Sequence, residues 1–89
     1  MSIPAIIPPT PELTSLKNYL PLLPPMIARK SVPFFTGGAI SSKKLANDDW
    51  GGKGPKVRQK IGDAVVYPTP FFLAYLESQG VTTIVVPQI

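Results

Sequence analysis

Eight of the nine basic residues in this chain lie between positions 29 and 60: Arg29, Lys30, Lys43, Lys44, Lys53, Lys56, Arg58 and Lys60. Inside that window the only acids are Asp48 and Asp49. Cations gathered in the middle of a chain whose ends are nearly neutral suit a surface that faces a polyanion. An ordinary solvated lysine surface has the same composition, and charge alone does not separate the two. Bond-making chemistry is poorly supplied. Histidine and cysteine are absent, which removes the commonest general base, the commonest metal ligand and the thiolate nucleophile. Of the five carboxylates, only Asp48 and Asp49 are neighbours. The expectation is a binding protein that is not an enzyme and uses no cofactor or metal.

The elements that must position these residues belong to a short chain. Eighty-nine residues make one domain, and 44% hydrophobic content supports a modest core. Residues 1–25 carry prolines at 4, 8, 9, 11, 21, 24 and 25, which favours an extended arm. One short helix fits within the arm. Thr10 caps it, Pro11 opens it, Leu13, Leu16 and Leu20 form its apolar face, and Pro21 stops it. Residues 26–80 form the folded domain. Residues 26–36 read as a short helix limited by Pro33. Gly37-Gly38 breaks the chain, Ser41 or Ser42 caps a second helix, and Gly51-Gly52 ends that helix. Val57, Gln59 and Ile61 alternate with Arg58 and Lys60 as in a strand, and residues 64–67 make a second β-prone run. The Gly62-Asp63 pair between the two runs suits a type II′ hairpin. Thr69-Pro70 repeats the cap-then-proline start of a helix, Phe72, Leu73 and Leu76 face its core side, and Gly80 ends it. Residues 81–89 form an extended tail in which six of the seven residues from Val81 to Pro87 are β-branched, so a strand is expected. No apolar run approaches the ~20 residues of a membrane span and no leader pattern is visible, so the expectation is a cytoplasmic protein with no membrane association.

Helix, glycine turn, helix, β-hairpin, helix is the order of a winged helix-turn-helix, a mainly α fold with a small β wing. The stretch FFTGGAISSKKLANDDWGGKGPKVRQKIGDAVVYPTPFFLAYLES resembles the MerR-like excisionases, which include the AlpA-type and Xis-type regulators. The resemblance rests on the GGAIS turn, the LAN of the second helix, the Gly-x-Gly-Pro exit, the KIG…VVY wing and the closing amphipathic helix. It covers about half of the chain. The proline-rich arm and β-branched tail further resemble recombination directionality factors of integrative and conjugative elements. Asp48 departs from the small or apolar residue usual after LAN, and Asp49 follows it. The bland role for both is solvated helix-end charge or a salt bridge with Lys44 or Lys53. Trp50 is large for its place, and is either a core plug or a surface that meets DNA or a neighbouring subunit.

The resemblance implies a protein that binds and bends attachment-site DNA, so that a site-specific integrase excises a mobile element. Lys43, Asn47 and Trp50 share one face of the proposed recognition helix, with Lys44 on its flank and Leu45 opposite. Asn47 suits adenine, and Lys43 or Lys44 suits guanine or phosphate. Ser41 and Ser42 are caps or phosphate donors. Arg29, Lys30, Lys53, Lys56, Arg58 and Lys60 complete the expected double-stranded DNA surface, with Arg58 and Lys60 on one face of the wing strand. Binding to tandem sites requires a head-to-tail contact. The tail residues Ile84, Val85, Val86, Pro87 and Ile89 are the candidates for it, with Gly80 as hinge. A winged helix-turn-helix transcriptional regulator and a protein-binding antiactivator are the competing functions.

Overall fold

In the computed structural model, which describes residues 8–87, the β-prone runs pair as a hairpin. Strand β2 (Gln59–Ile61) runs antiparallel to β3 (Ala64–Pro68), with Gln59 opposite Val66 and Ile61 opposite Ala64. Gly62 has φ +59° and Asp63 is not left-handed. That pattern suits a type II′ turn, in which only the first central residue needs positive φ.

A third strand was not expected. Met26–Ala28, read from sequence as the start of a helix, is β1 and pairs antiparallel with the other edge of β3. The sheet order is β1-β3-β2. The reason is tertiary. An isolated hairpin is marginal in water, and β3 buries Val66 and Tyr67, so its free edge gains from a partner. Pro24 and Pro25 deliver the chain already extended, and Ile27 is then fully buried.

After β1 the chain makes a 3₁₀ turn at Arg29–Ser31 and a single turn of helix, α1 (Val32–Phe35), with Pro33 in its first turn. The Thr36 hydroxyl closes α1. It donates to the Val32 carbonyl at 2.9 Å and accepts the Ile40 N–H at 3.1 Å. Helix α2 (Ser42–Trp50) follows, then a loop, then the hairpin and helix α3 (Thr69–Ser78). The result is a small α/β domain built on a three-stranded antiparallel sheet. Its core joins Ile27, Val32, Leu45, Tyr67, Phe72 and Leu73.

The arm packs on this core through Leu13, Leu16, Leu20 and Leu23, each half-buried. The α-helix expected from Thr10 does not form. Lys17–Leu22 is a 3₁₀ turn with Pro21 inside it, because the donors that would begin an α-helix have been taken elsewhere. The Thr14 and Leu16 N–H groups donate to the Glu77 carboxylate at 2.8 and 2.9 Å. Thr69 also departs from expectation and is not an N-cap. Its N–H donates to the Pro25 carbonyl at 3.0 Å and its hydroxyl to the Pro24 carbonyl, so it fastens the arm to α3. Gly80 ends the α3 segment with φ +88°.

The expected tail strand is absent. Residues 81–87 have no regular structure, and Ile84, Val85, Val86 and Pro87 are exposed. They pair with neither open edge of the sheet, β1 or β2, and Ile89 lies outside the described residues. No helix among the described residues is long and apolar enough to cross a membrane.

Candidate nucleic-acid interface

Helix α2 divides into two faces. Leu45 is fully buried and Asp49 nearly so, at angular positions about 40° apart on a 3.6-residue helix. Lys43, Asn47 and Trp50 occupy the opposite side and are exposed. Trp50 is 94% exposed, which rules out the core-plug role. The helix starts cleanly because the Ser41 side chain accepts the Lys44 N–H at 3.0 Å, an N-cap bond that contributes about 1 kcal/mol. The Ser42 hydroxyl donates to the Arg29 carbonyl at 2.9 Å and so docks the helix on the preceding turn. Both serines are engaged within the protein.

Of the two acids, Asp49 departs from expectation. Asp49 is not solvated helix-end charge; its side chain is 4% exposed. Its Oδ2 accepts from Tyr67 Oη at 2.5 Å and from Arg29 Nη2 at 2.6 Å. Arg29 also donates from Nε to Tyr67 Oη at 2.9 Å. Arg29 was expected on the DNA surface, but its guanidinium is held in this internal triad. Burial, and then the bond to Asp49, push the Tyr67 hydroxyl up to about 12. Asp49 Oδ1 is buried with no hydrogen-bond partner among the described residues, and Arg58 Nη1 stands 3.8 Å from it. Gly54 closes over the same oxygen, and a Cβ at that position would overlap it. The Gly-x-Gly-Pro exit therefore has a steric reason, with Pro55 buried behind it.

Asp48 faces the other way. It pairs with Lys44 one turn back at 2.8 Å, as expected, and accepts from Tyr75 Oη at 2.5 Å. The Lys44 bond and then the Tyr75 bond hold its carboxyl below the usual range, and burial raises the Tyr75 hydroxyl. The two acids thus tie α2 to β3 and α3, and neither lies on the Lys43–Asn47–Trp50 face. Tyr67 and Tyr75 were not singled out as partners in the sequence. The signal was the bare coincidence of two adjacent acids with two tyrosines downstream, and spacing does not bring them together.

The remaining cations lie on the loop after α2, on the hairpin and on the turn before α1. Lys53 and Lys56 are exposed on the loop that leaves it, and the Lys53 N–H secures that loop by donating to the Asp48 carbonyl at 2.7 Å. Arg58 precedes the three-residue β2 rather than lying within it, so it does not share a strand face with Lys60 as expected. Lys60 is exposed on the sheet edge opposite Val65. Lys30 is exposed at the rim of an open groove of about 320 Å³, which is lined by residues 28–30, Ser42 and residues 63–65. This groove joins the start of α2 to the hairpin turn. The arrangement presents a helix face with one amide, one indole and flanking cations, and a hairpin whose one base, Lys60, is exposed on the sheet edge. The exposed groups of this face are cations, an amide and an indole. No family of proteins, no characterised protein and no solved structure matches the chain.

Proposed function

We propose that the chain is a sequence-specific double-stranded DNA-binding protein of the winged helix-turn-helix type. In this reading α2 is the recognition helix and the β2–β3 hairpin is the wing. The observation that carries the reading is the unobstructed face of α2. Lys43, Asn47 and Trp50 are exposed together, while the two acids that would repel phosphate are engaged on other sides by Arg29, Tyr67, Lys44 and Tyr75. A major groove admits one helix, Asn pairs bidentately with adenine, and Lys reaches guanine or phosphate. Lys53, Lys56, Arg58 and Lys60 supply backbone contacts around the helix, and Lys30 adds one near its start.

The sequence resemblance extends the proposal to an excisionase or recombination directionality factor. Several copies side by side on tandem sites would bend an attachment site for a partner integrase. Smooth bending of such a site by 40 to 90° costs of order 1 to 6 kcal/mol, which contacts from several subunits can offset. The exposed, uncharged residues 81–87 support a tail-mediated contact between copies. The first test is salt dependence. With about four to six phosphate contacts, log K falls with log salt at a slope of about −4 to −5. A slope shallower than about −1 removes the polyanion surface. A footprint across an attachment region then separates tandem direct repeats from the two-fold site of a simple regulator.

A further inference from the structure

Trp50 is the only tryptophan of the chain, and it is 94% exposed on a helix whose other large apolar residue, Leu45, is fully buried. No packing among the described residues explains a side chain of that size at that place. Its surroundings indicate what covers it. Lys43 and Asn47 share its face, Lys44 flanks it, and Lys53 stands three residues beyond it, all of them exposed. Tryptophan is enriched where protein surfaces meet each other, but lysine is depleted there and is the usual neighbour of a phosphate chain. The occupant that fits both the cations and the indole is therefore duplex DNA rather than a second copy.

The inference rests on the proposed reading of α2 as the helix that enters the groove. At 1.5 Å per residue, Asn47 and Trp50 stand about 6 and 10 Å along the helix from Lys43. Base pairs are spaced about 3.4 Å apart. Asn47 and Trp50 thus reach neighbouring base pairs, about two and three steps from the pair under Lys43. The major groove offers an indole one apolar group, the 5-methyl of thymine, and offers a carboxamide the N6 and N7 of adenine. We infer that Trp50 is a specificity-determining residue whose indole packs on a thymine methyl, next to the adenine paired by Asn47. The recognised half-site then contains two adjacent A·T pairs, one read by hydrogen bonds and one by an apolar contact.

The full chain is first used to select bound duplexes from a random-sequence pool. Each thymine of a selected duplex is then replaced in turn by deoxyuridine, which removes only the 5-methyl group. Affinities are read by anisotropy for the wild type, Trp50→Ala and Trp50→Phe, with circular dichroism melts showing that each variant is folded. At one thymine, the exchange weakens the wild type about fourfold, the effect of one buried methyl. The same exchange leaves Trp50→Ala unchanged and has an intermediate effect on Trp50→Phe. The single tryptophan's emission also changes when the selected duplex binds. If a duplex is bound but no thymine methyl depends on Trp50, the inference fails and the proposed function stands. If Trp50→Ala leaves single-site affinity intact and abolishes self-association in sedimentation, the indole belongs to a protein contact and the inference again fails. If no duplex is enriched, the proposed function itself fails.

Discussion

Replacing Asp49 by alanine tests whether the acid is the anchor of α2. The carboxylate accepts two hydrogen bonds of 2.5 and 2.6 Å, from Tyr67 and Arg29, and its side chain is 4% exposed. Removing one member of a fully buried ion pair costs about 3 to 5 kcal/mol. Arg29 is 28% exposed and can turn partly to water, so the lower end applies and the expected loss is about 3 kcal/mol. Tyr67→Phe removes one hydroxyl and leaves the ion pair in place, so about 1 to 2 kcal/mol is expected. A domain of this size shifts its melting temperature by about 4 to 8 °C per kcal/mol. Asp49→Ala therefore melts at least about 12 °C lower, a large part of a total stability of about 5 to 13 kcal/mol. Urea titration should be followed by far-ultraviolet circular dichroism, because exposed Trp50 is a poor reporter of unfolding. The double variant measures the coupling, expected at about 1 kcal/mol or more. An Asp49→Ala protein within about 0.5 kcal/mol of wild type, the usual range for surface changes, would refute the anchoring argument.

Asn47→Ala is expected to cost about 1 to 3 kcal/mol on a specific duplex and little on random DNA. Lys60→Ala weakens both evenly, and equal losses for Asn47→Ala on the two substrates remove Asn47 from base reading. Stability also depends on pH at both ends. Tyr67 is raised to about 12 in the fold, so its contribution is complete below about 10 and is lost as pH rises toward 12. Asp48 is held down by Lys44 and then Tyr75, and Glu77 by the Leu16 and Thr14 N–H groups. Their contributions are complete above about 4 and vanish as pH falls through the lowered values. Urea midpoints across both ranges check this, and a flat alkaline limb contradicts the Tyr67 assignment. Deleting residues 82–89 leaves the melting temperature unchanged and single-site binding intact but abolishes cooperative binding on tandem sites. Unfolding, or unchanged cooperativity, excludes the tail as the link between copies.

The readable elements were those whose signals are local. Ser41, Gly51 and the apolar position of Leu45 defined α2, and Gly62-Asp63 defined the hairpin, because caps, stops and turns act through the nearest few residues. β1 was illegible because MIA has no periodicity of its own. It is a strand only because β3 has a second edge to satisfy. The arm shows the same limit: Leu13, Leu16 and Leu20 had helical spacing, yet a carboxylate 61 residues away from Leu16 captured the amides that a helix needs. At the candidate site, the exposed face of α2 followed from angular spacing. The fates of Arg29 and Asp49 did not, since charge in a sequence says nothing about whether its partner is a phosphate or a buried tyrosine and arginine.

Glu77 has a mechanical consequence. The amides of Thr14 and Leu16 are bound to it, and residues 79–81 line the same shallow hollow as Leu16. The arm thus joins the core at the corner where the tail departs. A pull on the arm from its N-terminal side would load the bonds to Glu77 before β1, because Thr14 and Leu16 precede Met26 along the chain. The arm could then peel as far as Pro25, whose carbonyl is held by the Thr69 N–H, while the hairpin and α2 stay unloaded.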